Sequence, residues 1–104
     1  MKKVLLLAGA MILATAGAAR ADDDLELMYT ISAMREVCGF ALSGDQSQKL
    51  NRAIRRLEER NGFDSASADE SRAAVTAKVT ADAAAYCAEG SEWAATYQQV
   101  VGGL

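Results

Sequence analysis

Cys38 and Cys87 are the only cysteines of this 104-residue chain, and they stand among 14 carboxylates with no histidine and no proline. The pair has two readings. A redox couple usually sits as C-x-x-C with a lowered thiol pKa. These two lie about 50 positions apart, and in an oxidising compartment an isolated pair reads as a structural disulfide. Closing a loop of about 50 residues is worth on the order of 4 kcal/mol in the chain-entropy treatment. Without histidine, the usual general base, Ser-His-Asp catalysis and the common zinc sites are excluded. Asp22-Asp23-Asp24 lacks the alternating ligands, central glycine and closing glutamate of a calcium loop. Met28 and Met34 are too few for a copper site, and no glycine-rich phosphate loop occurs. The expectation is a protein that is not an enzyme, with no catalytic residues, no metal and no cofactor.

The compartment is read from the N-terminus. Met1-Lys2-Lys3 gives a basic start, and Val4 to Ala18 runs without a charge. Ala19-Arg20-Ala21 is a small-x-small triplet, followed at once by Asp22-Asp23-Asp24. This three-part pattern is that of a secretory signal peptide cleaved after Ala21. The apolar run is shorter than the roughly 20 residues of a membrane-spanning helix. Residues 1–21 are thus expected to be a cleaved signal and 22–104 a single mature domain in the periplasm, not inserted in the membrane. Lys2, Lys3 and Arg20 leave with the signal, so 8 of the 11 basic residues remain against 14 acids, a net of −6. That balance argues against nucleic acid as a partner. A domain this small buries a modest core and benefits from a covalent staple.

The elements that hold the cysteines read as helices, since alanine is abundant and proline absent. A first helix is predicted over Leu25 to Leu42, with a stripe of Leu27, Ile31, Met34, Cys38 and Ala41 or Leu42, broken by Ser43-Gly44-Asp45. Carboxylates 22–24 precede its positive end. A second is predicted from Gln46 to Arg60, burying Leu50, Ala53, Ile54 and Leu57 and stopped by Asn61-Gly62. Ser67-Ala68-Asp69-Glu70 matches a capping box, and a third helix is predicted from Ala68 to Ala88, with Val75, Val79, Ala83, Tyr86 and Cys87 inside. Ser91 caps a last helix from Glu92 to about Val101, where Trp93, Tyr97, Val100, Val101 and Leu104 form one apolar stripe. The fold class is therefore all-α, a small four-helix bundle-like domain with one disulfide joining the first and third helices.

Two sets of side chains are candidates for contact with a partner. Arg52, Arg55, Arg56 and Arg60 fill the outer face of the second helix, where an anion or an acidic partner can dock; the plainer reading is a solvated face with Arg55 one turn from Glu59. Trp93, Tyr97, Val100 and Val101 are candidates for client or partner binding, with core packing as the alternative.

The layout resembles the small periplasmic acid-stress chaperones of the HdeA type. The resemblance covers the whole mature chain and rests on an apolar leader, an acidic helical domain of this length, and the segments Arg35-Glu36-Val37-Cys38-Gly39-Phe40 and Ala85-Tyr86-Cys87-Ala88. The arginine-rich second helix departs from the family pattern. What the resemblance implies is a homodimer at neutral pH that comes apart in acid, partly unfolds and holds unfolded clients on exposed apolar surface. The composition has a physical counterpart. With carboxylates and no histidine, most titration falls near pH 4. Below that the side chains carry about +8, and self-repulsion favours opening. The other reading is a binding module without catalytic activity, such as a periplasmic inhibitor, immunity protein or regulatory partner. Expected partners are accordingly other proteins, either unfolded clients or one specific protein.

Overall fold

A computed structural model describes residues 23–104. The expected signal peptide and its cleavage site lie outside the described residues. Five helices and no strand are found among the described residues, and the chain folds as a small all-α domain with one disulfide, as its sequence predicts. Helix α1 covers residues 23–38, α2 Gly44–Arg60, α3 Ser65–Ala81, α4 Ala83–Cys87 and α5 Glu92–Gly102.

Helix α1 ends four residues earlier than the stripe of apolar residues suggests. Gly39 takes φ +72°, a left-handed conformation that glycine adopts without a Cβ clash, and its amide donates to the Arg35 carbonyl at 3.1 Å. Ser43 does not break a helix; it starts one. Its hydroxyl accepts from the Gln46 amide at 3.1 Å, and the Gln46 side chain accepts from the Ser43 amide at 3.2 Å, a full capping box. The Gln46 side-chain amide then donates to the Val101 carbonyl at 3.1 Å, so one residue closes the N-terminus of α2 and ties it to the end of α5. At the other end of α2 the Gly62 amide bonds Glu59 and the Phe63 amide bonds Glu58, which is the Schellman closure that Asn61-Gly62 leads one to expect.

The third predicted helix is corrected in two ways. Its cap is Asp64, whose carboxylate accepts from the Ser67 amide at 2.8 Å, and not Ser67 with Glu70. Asp64 to Ser67 carries the same spacing as Ser67 to Glu70, and the earlier site adds a turn before Ala68, which is buried. The helix also breaks at Asp82, with φ −129° and ψ 44°, so α3 and α4 are separate. The Asp82 side chain makes no cap bond; its backbone joins the two helices, the amide donating to the Val79 carbonyl at 3.3 Å and the carbonyl accepting from the Ala85 amide at 3.0 Å. The break re-aims α4. Tyr86 then stacks on Trp93 of α5 at 5.0 Å between ring centroids, and Cys87 meets Cys38.

Helix α1 is the centre of the molecule. Leu25, Tyr29, Thr30, Ile31, Ala33 and Met34 are all buried, covering roughly two-thirds of its circumference at 3.6 residues per turn. The sequence pattern led us to expect a single stripe; the broader burial follows because α2, α3, α4 and α5 supply Leu50, Ile54, Val75, Val79, Tyr86, Tyr97 and Val101 to one shared core with it. The buried Thr30 is satisfied locally, its hydroxyl donating to the Glu26 carbonyl at 2.8 Å. No buried side-chain polar atom lacks a partner among the described residues.

Candidate functional site

Three helices meet at one carboxylate. Glu58 stands near the end of α2 on the turn facing α1 and α3, with a side chain 15 % exposed. The Tyr29 hydroxyl of α1 donates to Glu58 Oε2 at 2.7 Å, and Arg72 of α3 donates to the same oxygen at 3.1 Å. The Arg72 guanidinium lies 5.1 Å from the centre of the Tyr29 ring, so cation, ring and carboxylate close a triangle. Each contact involves an ionised group, which makes the hydrogen bonds stronger than neutral ones and adds a cation–π attraction. Tyr29 responds as a buried phenol should: burial first, and then its hydrogen bond to the Glu58 carboxylate, push its pKa up to about 12.

Beside this triangle runs an open groove of about 690 Å³ between α1 and α3, lined by Tyr29, Ser32 and Glu36 of α1 and by Arg72, Ala73 and Ala77 of α3. The alanines leave room there because α3 buries only Ala68, Val75 and Val79. Two further ionic contacts lie on the surface, Lys78 with Glu26 and Lys49 with Asp45, both at 3.3 Å. Asp64, as the cap of α3, is held below the usual carboxylate range by the backbone amide of Ser67.

The disulfide is formed. Cys38 and Cys87 are bonded with Cα atoms 5.3 Å apart, joining the last residue of α1 to the last residue of α4. Both sulfurs lie against the core rather than in an open cleft, which suits a structural staple.

The residues proposed for partner contact divide sharply. Tyr97 is fully buried and Val101 nearly so, while Trp93 and Val100 are half-buried against the same core. Tyr97 packs edge to face on Phe40, 4.9 Å between centroids, and its hydroxyl donates to the Ala41 carbonyl at 3.2 Å. In this state Tyr97 and Val101 of the α5 stripe are core, and Trp93 and Val100 pack against it. Arg52, Arg55, Arg56 and Arg60 are all exposed, and none is ion-paired among the described residues.

Sequence reasoning passed over Tyr29, Glu58 and Arg72. The signal for Tyr29 was available, since it falls one turn after Leu25 on a helix whose apolar positions are dense. Among the described residues no group of three or more carboxylates or cysteines is placed to hold a metal ion, and no helix is long and apolar enough to cross a membrane. Fold and site together define a disulfide-pinned, carboxylate-clamped helical domain. Compared with family models, curated proteins and solved structures, the chain matches none.

Proposed function

We propose that the chain is exported to the periplasm through a cleaved signal peptide and acts there as an acid-activated holdase that keeps unfolded proteins from aggregating. The observation that carries this reading is the Glu58 clamp. It joins α1, α2 and α3 through one carboxylate by hydrogen bonds, whereas the covalent tie, Cys38–Cys87, does not respond to pH. Each described ion pair sets a carboxylate against a base, Glu58 with Arg72, Glu26 with Lys78 and Asp45 with Lys49, and in strong acid carboxylates as a class are neutralised while arginine and lysine stay charged. Asp64 adds to the same effect. Its folded pKa is lowered, so its contribution is present above the ordinary aspartate range and is lost as pH falls through the depressed value. Positive charge then accumulates with nothing to offset it, and self-repulsion drives the helices apart. The disulfide limits the expansion, and Tyr97, Val101, Leu50 and Ile54 become available as apolar surface for a client. The resemblance in layout to acid-stress chaperones of the HdeA type supports the same reading.

The first test is of opening itself. Emission from Trp93, the single tryptophan, and binding of an apolar dye are followed from neutral pH to about pH 3, below most carboxylate titration. The reading expects loss of fixed aromatic packing and gain of dye binding, with the disulfide intact. A native near-ultraviolet signal retained throughout that range removes it.

A further inference from the structure

We propose that the outer face of α2 is a docking surface for an anionic phospholipid leaflet, contacted through the phosphates of the lipid headgroups. Helix α2 carries Lys49, Arg52, Arg55, Arg56 and Arg60 against Asp45, Glu58 and Glu59. It is therefore net positive, while the rest of the described chain holds only Arg35, Arg72 and Lys78 against ten acids. Two of the three acids of α2 are engaged, Asp45 by Lys49 and Glu58 by Arg72. The four arginines are left exposed and without an ion-pair partner among the described residues, on the side opposite the buried Leu50 and Ile54. Arg52, Arg56 and Arg60 follow one another at successive turns, about 6 Å apart along the axis, with Arg55 beside them.

The chemistry of the neighbours chooses among anionic partners. The other exposed residues of α2 are Gly44, Asp45, Gln48, Lys49, Asn51 and Glu59, with no aromatic or aliphatic side chain. Protein interfaces concentrate their binding energy in desolvated Trp, Tyr and Arg anchors packed in pockets; this ridge offers exposed arginines with no aromatic side chain beside them. A rigid polyanion such as nucleic acid would bring its fixed charges near the ten acids of the rest of the described chain as well. A fluid leaflet differs, because anionic lipids gather beneath the arginines while neutral lipids face the acidic sides. Beyond about 10 Å the acidic sides are screened at moderate salt. Arginine also suits phosphate, since its planar fork donates two hydrogen bonds to one group. Each arginine close to an anionic surface strengthens binding about fivefold. Acidification separates phosphate from carboxylate partners: lipid phosphates stay ionised where a carboxylate-rich protein loses its charge.

The test is co-sedimentation of the chain with phosphatidylglycerol–phosphatidylcholine vesicles, with pure phosphatidylcholine vesicles and polyglutamate as comparison arms. The variant Arg52→Gln/Arg56→Gln is measured beside the native chain, so that any contribution of residues 1–22 is the same in both. The proposal expects binding to the anionic vesicles that falls roughly 25-fold in the double variant and falls with added salt. Circular dichroism of the variant checks that it is folded; these side chains are exposed, so its helicity is expected to equal the native one. Equal vesicle binding by a folded variant overturns the proposal. So does binding to polyglutamate without selectivity for anionic vesicles, which would assign the ridge to an acidic protein.

Discussion

Tyr29 and Glu58, 29 positions apart in sequence, are joined by a 2.7 Å hydrogen bond from phenol to carboxylate, on the same oxygen that Arg72 reaches from a third helix. The bond makes one acid responsible for the mutual placement of α1, α2 and α3. Replacing Glu58 by glutamine keeps the size and an acceptor for Tyr29 but removes the charge that Arg72 answers. We expect Glu58→Gln to lose about 1.5–3 kcal/mol at neutral pH, the range for hydrogen bonds to charged groups. Urea unfolding at neutral pH reads this directly, and a variant as stable as the native chain contradicts it.

The disulfide is the second tie. Cys38→Ser/Cys87→Ser frees a loop spanning a sequence separation of 49. The expected cost is about 4 kcal/mol, a large part of what a domain of this size has available. Thermal unfolding of the oxidised protein against the double variant measures it. A variant that melts with the native protein would show that the packing of α4 on α5, through Tyr86 and Trp93, holds this end by itself.

Asp64 gives a prediction with a definite sign. Its carboxylate caps α3 and its pKa is lowered by the Ser67 amide, so its contribution exists at neutral pH and disappears as pH falls through the depressed value. Asparagine caps a helix about as well and does not titrate. Asp64→Asn should therefore leave neutral stability nearly unchanged and flatten part of the acid dependence. Unfolding midpoints across the acid range decide the matter, an unaltered slope being the adverse result.

At the alkaline end the sign reverses. Tyr29 has a raised pKa, about 12 against an ordinary 10.0, so its stabilising effect is complete below pH 10.0 and is lost as pH rises through 12. Tyr97 shifts upward as well, through burial. Phenolate absorbance should accordingly lag behind that of the unfolded chain, and Tyr29→Phe should remove the slowest part of the rise. Three tyrosines titrating together at the ordinary value would contradict the buried placement of Tyr29 and Tyr97.

What the sequence could tell depended on the range of the interaction. Helices α2 and α5 were legible because their signals are local: the spacing of Leu50, Ile54 and Leu57, the stop at Asn61-Gly62, the cap at Ser91 and the stripe of Tyr97 and Val101. The end of α1 was misplaced because apolar periodicity continues through Leu42, whereas Gly39 decides the backbone and Ser43 belongs to the next capping box. The cap of α3 is misplaced in the sequence because Ser67-Ala68-Asp69-Glu70 matches a capping box, whereas the Asp64 carboxylate takes the Ser67 amide and starts the helix a turn earlier. The break at Asp82 and the Glu58 clamp were out of reach. The first depends on how Tyr86 packs on Trp93, the second on residues from three helices that share no sequence spacing. The arginines of α2 were visible as residues, but their lack of ion-pair partners is a property of the folded surface.

The central claim is that acid converts this domain into a holder of unfolded protein, and suppression of client aggregation at pH 2–3, where carboxylates are protonated, tests it most directly. Light scattering of an acid-denatured periplasmic protein is recorded with and without the disulfide-intact chain, while dye binding and Trp93 emission confirm that the chain has opened. The account predicts that scattering falls in proportion to added protein and that Glu58→Gln begins to act at higher pH than the native chain. Unchanged scattering in the presence of fully opened, oxidised protein would contradict it.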